Sequence, residues 1–182
     1  MKATPLAIPD VVLLEPQVYE DSRGLFYESY NERTFADVVG QAVRFAQDNH
    51  SRSQRGVIRG LHYQLDPAPQ GKLVRVVAGE IFDVAVDVRR SSPTFGKWVS
   101  QILSAENKRQ VWIPVGFAHG FMALSDAAEV IYKATDFYDK AAERAIIWND
   151  PDLAIAWPTS VSPILSDKDA VAPRFADAAT FA

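Results

Sequence analysis

The run Ile81-Phe82-Asp83-Val84-Ala85-Val86-Asp87-Val88 alternates strictly. Phe82, Val84, Val86 and Val88 share one face, while Ile81, Asp83, Ala85 and Asp87 share the other. Successive side chains of a strand point to opposite sides, so the run reads as a strand with one apolar face and one mixed face. The same short-strand grammar continues outward. On the C-terminal side, Ser91 to Gly96 is a turn, Lys97 to Leu103 a strand and Ala105 to Gln110 a polar connection. Val111 to Ile113, Phe117 to Leu124 and Glu129 to Thr135 are further strands. Asp139 to Arg144 reads as a polar stretch with one helical turn, and Ala145 to Trp148 and Ala154 to Trp157 as short strands. On the N-terminal side, Gly56 to Gln64 and Arg44 to Ser51 are extended, and Val11 to Leu14 is a short strand. A turn at Asp21-Ser22-Arg23-Gly24 leads into the aromatic strand Leu25 to Tyr30. Only one helix is expected: Asn31 caps it, Phe35, Val38 and Val39 form its apolar side, and Gly40 stops it. Many short strands separated by turns predict an all-β protein, an antiparallel sandwich or barrel. Neither linker nor repeat interrupts the pattern, so residues 1–182 are read as a single domain.

Composition narrows the function. A chain of 182 residues can bury a substantial core, and its formal net charge of -4 argues against a nucleic-acid binder held by bulk charge. The charge is uneven, however: between Asn49 and Gly79 the cations Arg52, Arg55, Arg59, Lys72 and Arg75 face a lone acid, Asp66. That island suits a small anionic ligand; chance clustering on a solvated face is the plain alternative. With no cysteine, disulfides, thiolate chemistry and Cys-ligated zinc are excluded. No apolar run approaches a membrane span and no signal peptide is visible, so a cytoplasmic location is expected.

Gly56 to Gln64 places Arg59 and His62 three residues apart in an apolar run. Histidine is the usual proton carrier near neutral pH, and here it lies among cations suited to phosphate. A partly buried strand with one satisfied histidine would show the same pattern. The odd spacing puts Arg59 and His62 on opposite faces of a regular strand, so both can line one pocket only if the strand is irregular. Gly60 between them is the natural place for a bulge. The remaining histidines, His50 and His119, are not spaced with His62 to aim at one metal ion.

Pro114-Val115-Gly116-Phe117-Ala118-His119 resembles the second signature of the cupin superfamily of jelly-roll barrels. The His-x-His of metal-binding cupins has no counterpart between Gly79 and Arg90. Longer blocks sharpen the likeness: Asp21 to Glu28, Gln47 to Arg52, Gly56 to Gln64, Gly71 to Arg75, Gly79 to Lys97, Leu103 to Gly120, Tyr132-Lys133, Tyr138 and Ser166 to Asp169. In these blocks the chain resembles the dTDP-4-dehydrorhamnose 3,5-epimerases, a metal-free cupin family, over nearly its whole length to Asp169.

The resemblance implies a cupin-type antiparallel jelly roll and epimerisation of dTDP-4-dehydro-6-deoxy-D-glucose at carbons 3 and 5, with no cofactor and no metal. It implies that His62 is the base, Asp169 its orienting partner, Tyr132 the opposing acid and Lys72 the stabiliser of the enolate oxygen. Arg23 and Arg59 would contact the diphosphate, Phe26 and Tyr138 would sandwich the thymine, and Glu28, Gln47, Asn49, His119, Glu143 and Lys168 would complete substrate binding. It further implies a homodimer in which Arg23 to Glu28 reach the neighbouring subunit's site. Nothing points to nucleic-acid or membrane partners. Three other readings stay open: a single-centre epimerase of the same substrate class, a metal-dependent cupin enzyme, and a non-catalytic sugar-nucleotide binder.

Overall fold

A computed structural model of the chain describes residues 1–158 and 162–182. The strands begin with β1 (Lys2–Pro5), β2 (Val12–Glu15), β3 (Val18–Asp21) and β4 (Gly24–Tyr27), followed by helix α1 (Glu32–Val39). Next come β5 (Gln47–Gln54), β6 (Ile58–Gln64), β7 (Lys72–Ala78), β8 (Glu80–Asp87) and β9 (Trp98–Ser104). The series closes with β10 (Gln110–Ile113), β11 (Phe117–Ala123), β12 (Ala127–Ala134) and β13 (Glu143–Ala145), before a one-turn helix α2 (Asp167–Ala170). One sheet runs β1-β2-β10-β7-β12-β5, a second runs β13-β6-β11-β8-β9, and β3-β4 is a separate hairpin. The pairings are antiparallel and join strands far apart in sequence, the crossing connectivity of a jelly roll.

The helix forms where its local signals place it. Asn31 accepts hydrogen bonds from the Arg33 and Thr34 amides at 3.1 Å each, and Gly40 ends the helix in the left-handed conformation at φ 74°. Its buried residue Phe35 packs with Val12, Leu14, Leu73 and Trp112, covering the outer face of the six-stranded sheet.

The two faces of β8 serve two cores. Its apolar face turns outward: Val84, Val86 and Val88 pack with Ile58, Leu61, Tyr63 and Met122 beneath Ile146, Leu153 and Trp157. Its mixed face turns into the barrel, where Ile81 and Ala85 join Val74, Val130, Phe117 and Phe121.

The C-terminal cover departs from expectation. Ala154 to Trp157 form no strand, and of Ala145 to Trp148 only Ala145 belongs to one. In Asp139 to Arg144 there is no helix: Lys140 to Ala142 form a turn, and Glu143 and Arg144 already belong to β13. Here side chains hold the cover in place: the Trp98 indole of β9 donates to the Leu153 carbonyl at 3.0 Å, and within the cover the Trp157 indole donates to the Trp148 carbonyl at 2.7 Å. Strands β1 and β3 were not expected, because Lys2-Ala-Thr-Pro and Val18-Tyr-Glu-Asp are short, polar and without alternation.

Candidate active site

The irregularity expected at Gly60 is present. His62 pairs with His119 and Arg59 with Phe121, so Gly60 and Leu61 stand opposite Gly120 alone. That is a bulge of one residue, and it changes which side chains point where. Ile58, Leu61 and Tyr63 face the outer core. Arg59 and His62 line one open cavity of about 390 Å³, together with Ser166, Lys168 and Asp169, and with Ile58 and Ile164 on its apolar wall. Glycine at position 60 is required: φ is 130°, and a Cβ would lie 2.5 Å from the Gly120 Cα and 2.7 Å from the His119 carbonyl oxygen.

His62 Nε2 is 2.6 Å from Asp169 Oδ1. Asp169 is buried although it lies in the tail, because α2 folds back against β6. The Ser166 hydroxyl caps that helix, accepting from the Asp169 amide at 3.2 Å. Burial pushes the Asp169 carboxyl up, but hydrogen bonds from His62, Ser166 and the Gly60 amide outweigh it and hold it below the ordinary carboxylate range.

Lys72 is buried at the start of β7. Its ammonium donates to the His62 carbonyl at 3.4 Å and lies 6.0 Å from the centroid of the Tyr132 ring. Burial pushes its pKa down to about 8, against the pull of the Asp83 and Glu143 carboxylates. Tyr132 comes from the opposite sheet, on β12 beside Asn49 of β5. Burial raises its phenol, Arg59 opposing, so the hydroxyl keeps its proton at neutral pH.

A polar rim joins these groups. Gln47 donates to Asn49 at 2.7 Å and accepts from the Tyr138 amide at 3.0 Å. The Tyr138 hydroxyl donates to Glu143 at 3.0 Å, and Lys168 donates to the other Glu143 oxygen. Arg23, Phe26 and Glu28 are not brought to this group. Arg23 pairs with Asp21 at 2.5 Å, Phe26 is 70% exposed, and Glu28 accepts from Asn31 at 3.2 Å.

One residue of the site was not foreseen. Asp83, on the mixed face of β8, lies 2.7 Å from His119 Nε2, and both are buried. The signal was an acid on an otherwise inward face, legible only once the outward face is known. His50 is apart from the site, exposed and paired with Glu129 at 3.1 Å. Among the described residues no three His, Asp or Glu side chains converge as a metal-binding group.

The family model for dTDP-4-dehydrorhamnose 3,5-epimerase matches residues 5–177. This chain belongs to that family. It is an epimerase with the cupin-type jelly roll. A relative from Pseudomonas aeruginosa, the dTDP-4-dehydrorhamnose 3,5-epimerase, is 63% identical over 181 residues, spanning 100% of this chain and 99% of its own. The crystal structure of the dTDP-6-deoxy-D-glucose-3,5-epimerase of Legionella pneumophila in complex with dTDP-4-keto-L-rhamnose superposes with a TM-score of 0.93 at 52% identity, covering 96% of this chain and 93% of that one. ChmJ, a 3'-monoepimerase of Streptomyces bikiniensis in complex with dTDP-quinovose, superposes with a TM-score of 0.89 at 38% identity, covering 94% of this chain and 87% of that one. Backbone similarity therefore extends across epimerases that differ in how many centres they invert.

Proposed function

We propose that the chain converts dTDP-4-dehydro-6-deoxy-D-glucose to dTDP-4-dehydro-L-rhamnose by inverting carbons 3 and 5. Both carbons are alpha to the 4-ketone, so loss of either proton gives an enolate that can be reprotonated from the other face. His62 takes the proton, and Asp169 holds its ring in place. Lys72 supplies positive charge to the enolate oxygen. Tyr132 returns a proton from the facing sheet, so a sugar ring between the sheets is approached from both sides. The chemistry needs no cofactor.

The observation that carries this reading is the bulge at Gly60, which puts Arg59 beside His62 in one cavity. The base then stands next to an arginine fork suited to the diphosphate. Glu28, Gln47, Asn49, His119, Glu143 and Lys168 make the remaining substrate contacts, and Phe26 and Tyr138 hold the thymine between them. Arg23 and Phe26 act in the site of a second copy. In support, the β3–β4 hairpin exposes Tyr19, Leu25 and Phe26 at 63%, 50% and 70%. The working form is thus a homodimer, located in the cytoplasm; among the described residues no helix is long and apolar enough to cross a membrane.

The likeness to a 3'-monoepimerase keeps a single-centre reaction as the second reading. Incubation with the 4-keto sugar nucleotide in heavy water separates the two. Deuterium at both carbons, lost in His62→Asn, supports double inversion. Label at one carbon establishes the second reading, and no exchange in the wild type refutes both.

A further inference from the structure

We propose that Asp83 is a positioning residue for the reaction: held inside the barrel by His119, its carboxylate keeps Lys72 charged where the enolate oxygen forms. The inference rests on the role given to Lys72 above.

Asp83 is 2% exposed, with Ile81, Ala85 and Phe121 in the core around it. Its only described side-chain hydrogen bond is with His119, at 2.7 Å. A carboxylate in such surroundings is costly, and apolar side chains would pack there at no such cost. His119 stands directly across from His62 in the β6–β11 pairing, so the buried pair adjoins the proposed base.

The neighbours of Lys72 single out Asp83. From β6 the ammonium meets the His62 carbonyl, and from β12 the Tyr132 ring. Two carboxylates act on it, Asp83 from β8 and Glu143 from β13. Glu143 is already engaged by Lys168 and the Tyr138 hydroxyl. Asp169 is bound to His62, and Arg59 acts on Tyr132 with its guanidinium on Ser53 at 3.0 Å. Asp83 alone of these carboxylates has no lysine or arginine partner among the described contacts. Of the two carboxylates it also has the larger effect on Lys72, opposing the burial that pushes the pKa down to about 8. His119 fixes where that charge sits.

The test is a titration of the full-length protein labelled with 13C at lysine Cε, with the Lys72 resonance assigned by its loss in Lys72→Arg. In Asp83→Asn the Lys72 midpoint should move to lower pH, its ionisation constant rising about tenfold or more. The basic limb of kcat should move with it, KM should change little, and Asp83→Glu should restore most of the shift. Glu143→Gln should move the midpoint less. An unmoved midpoint, a uniform loss of kcat at all pH values, or a larger effect of Glu143→Gln overturns the inference. If Asp83→Asn does not fold, the same titration on Asp83→Leu/His119→Leu decides. Failure of that variant to fold makes the pair structural and also overturns it. The titration needs no turnover, so it remains readable even if the wild type exchanges no deuterium and the proposed function falls.

Discussion

Lys72→Met should make the protein more stable and far less active. In the unfolded chain the ammonium has its ordinary pKa of 10.5, and burial in the fold brings it to about 8. Below about 8 both states hold the proton, and the folded state carries the full cost of a buried charge. That difference corresponds to about 3 kcal/mol. Between about 8 and 10.5 the unfolded chain binds more protons than the folded one, so this contribution to stability rises with pH across that window. Methionine has a similar reach without the charge. It also removes the cation that faces Asp83 and Glu143, so the net gain at pH 7 should be about 1–3 kcal/mol, a rise of several degrees in Tm for a chain of this size. Urea denaturation of both proteins at pH 7 and pH 10 measures the effect. The variant should be more stable at pH 7, with the gap shrinking towards pH 10. A variant no more stable at pH 7, or a gap constant with pH, would show that Lys72 is not a dehydrated cation and would remove the basis for the role proposed for it at the enolate. The same variant should lose about 10²–10³-fold in kcat.

Gly60→Ala should cost about 2–5 kcal/mol in thermal or urea melts, because the new Cβ meets the Gly120 backbone at 2.5 Å with φ at 130°; an unchanged melt would mean that the bulge relaxes freely. Asn31→Ala should cost about 1 kcal/mol in the same melts through the lost helix cap; an unchanged melt would mean that the cap contributes nothing. Tyr132→Phe should still wash deuterium into the substrate while net inversion falls by about 10²-fold or more; unchanged turnover would take Tyr132 out of the mechanism.

What could be read from sequence follows from how local each determinant is. The helix needs only Asn31, Phe35 and Gly40, all within one short segment, and it forms as expected. The alternation in Ile81 to Val88 gives a strand but not its orientation. Its apolar face looks like the side that should enter a barrel, yet it packs under Leu153 and Trp157, and the side bearing Asp83 goes in. Nothing near residue 81 encodes that cover, so Asp83 looks like a solvent-facing acid until the tail is placed. Arg59 and His62 gave a more useful signal, because their odd spacing conflicts with a shared pocket and Gly60 supplies the remedy. The partner of His62 lies 107 residues away. No periodicity links such a pair; resemblance to a family did.

The buried charges explain why the tail matters beyond covering a sheet. Dehydration would strengthen the field of Lys72 at the enolate oxygen proposed for it, and it weakens the fold by the same physics. A barrel holding Lys72 and Asp83 in its interior needs apolar burial elsewhere to offset them. The five-stranded sheet provides it by burying both faces, the outer one against Ile146, Leu153 and Trp157. The chain that forms this second core continues through Ile164, bridged to Val57 at the entrance to β6, and delivers Asp169 to His62. The offset to the buried charges and the orientation of the proposed base thus depend on one continuous segment, coupled through β6. Substitutions that loosen the outer core should therefore disturb the His62–Asp169 geometry even where they touch neither residue.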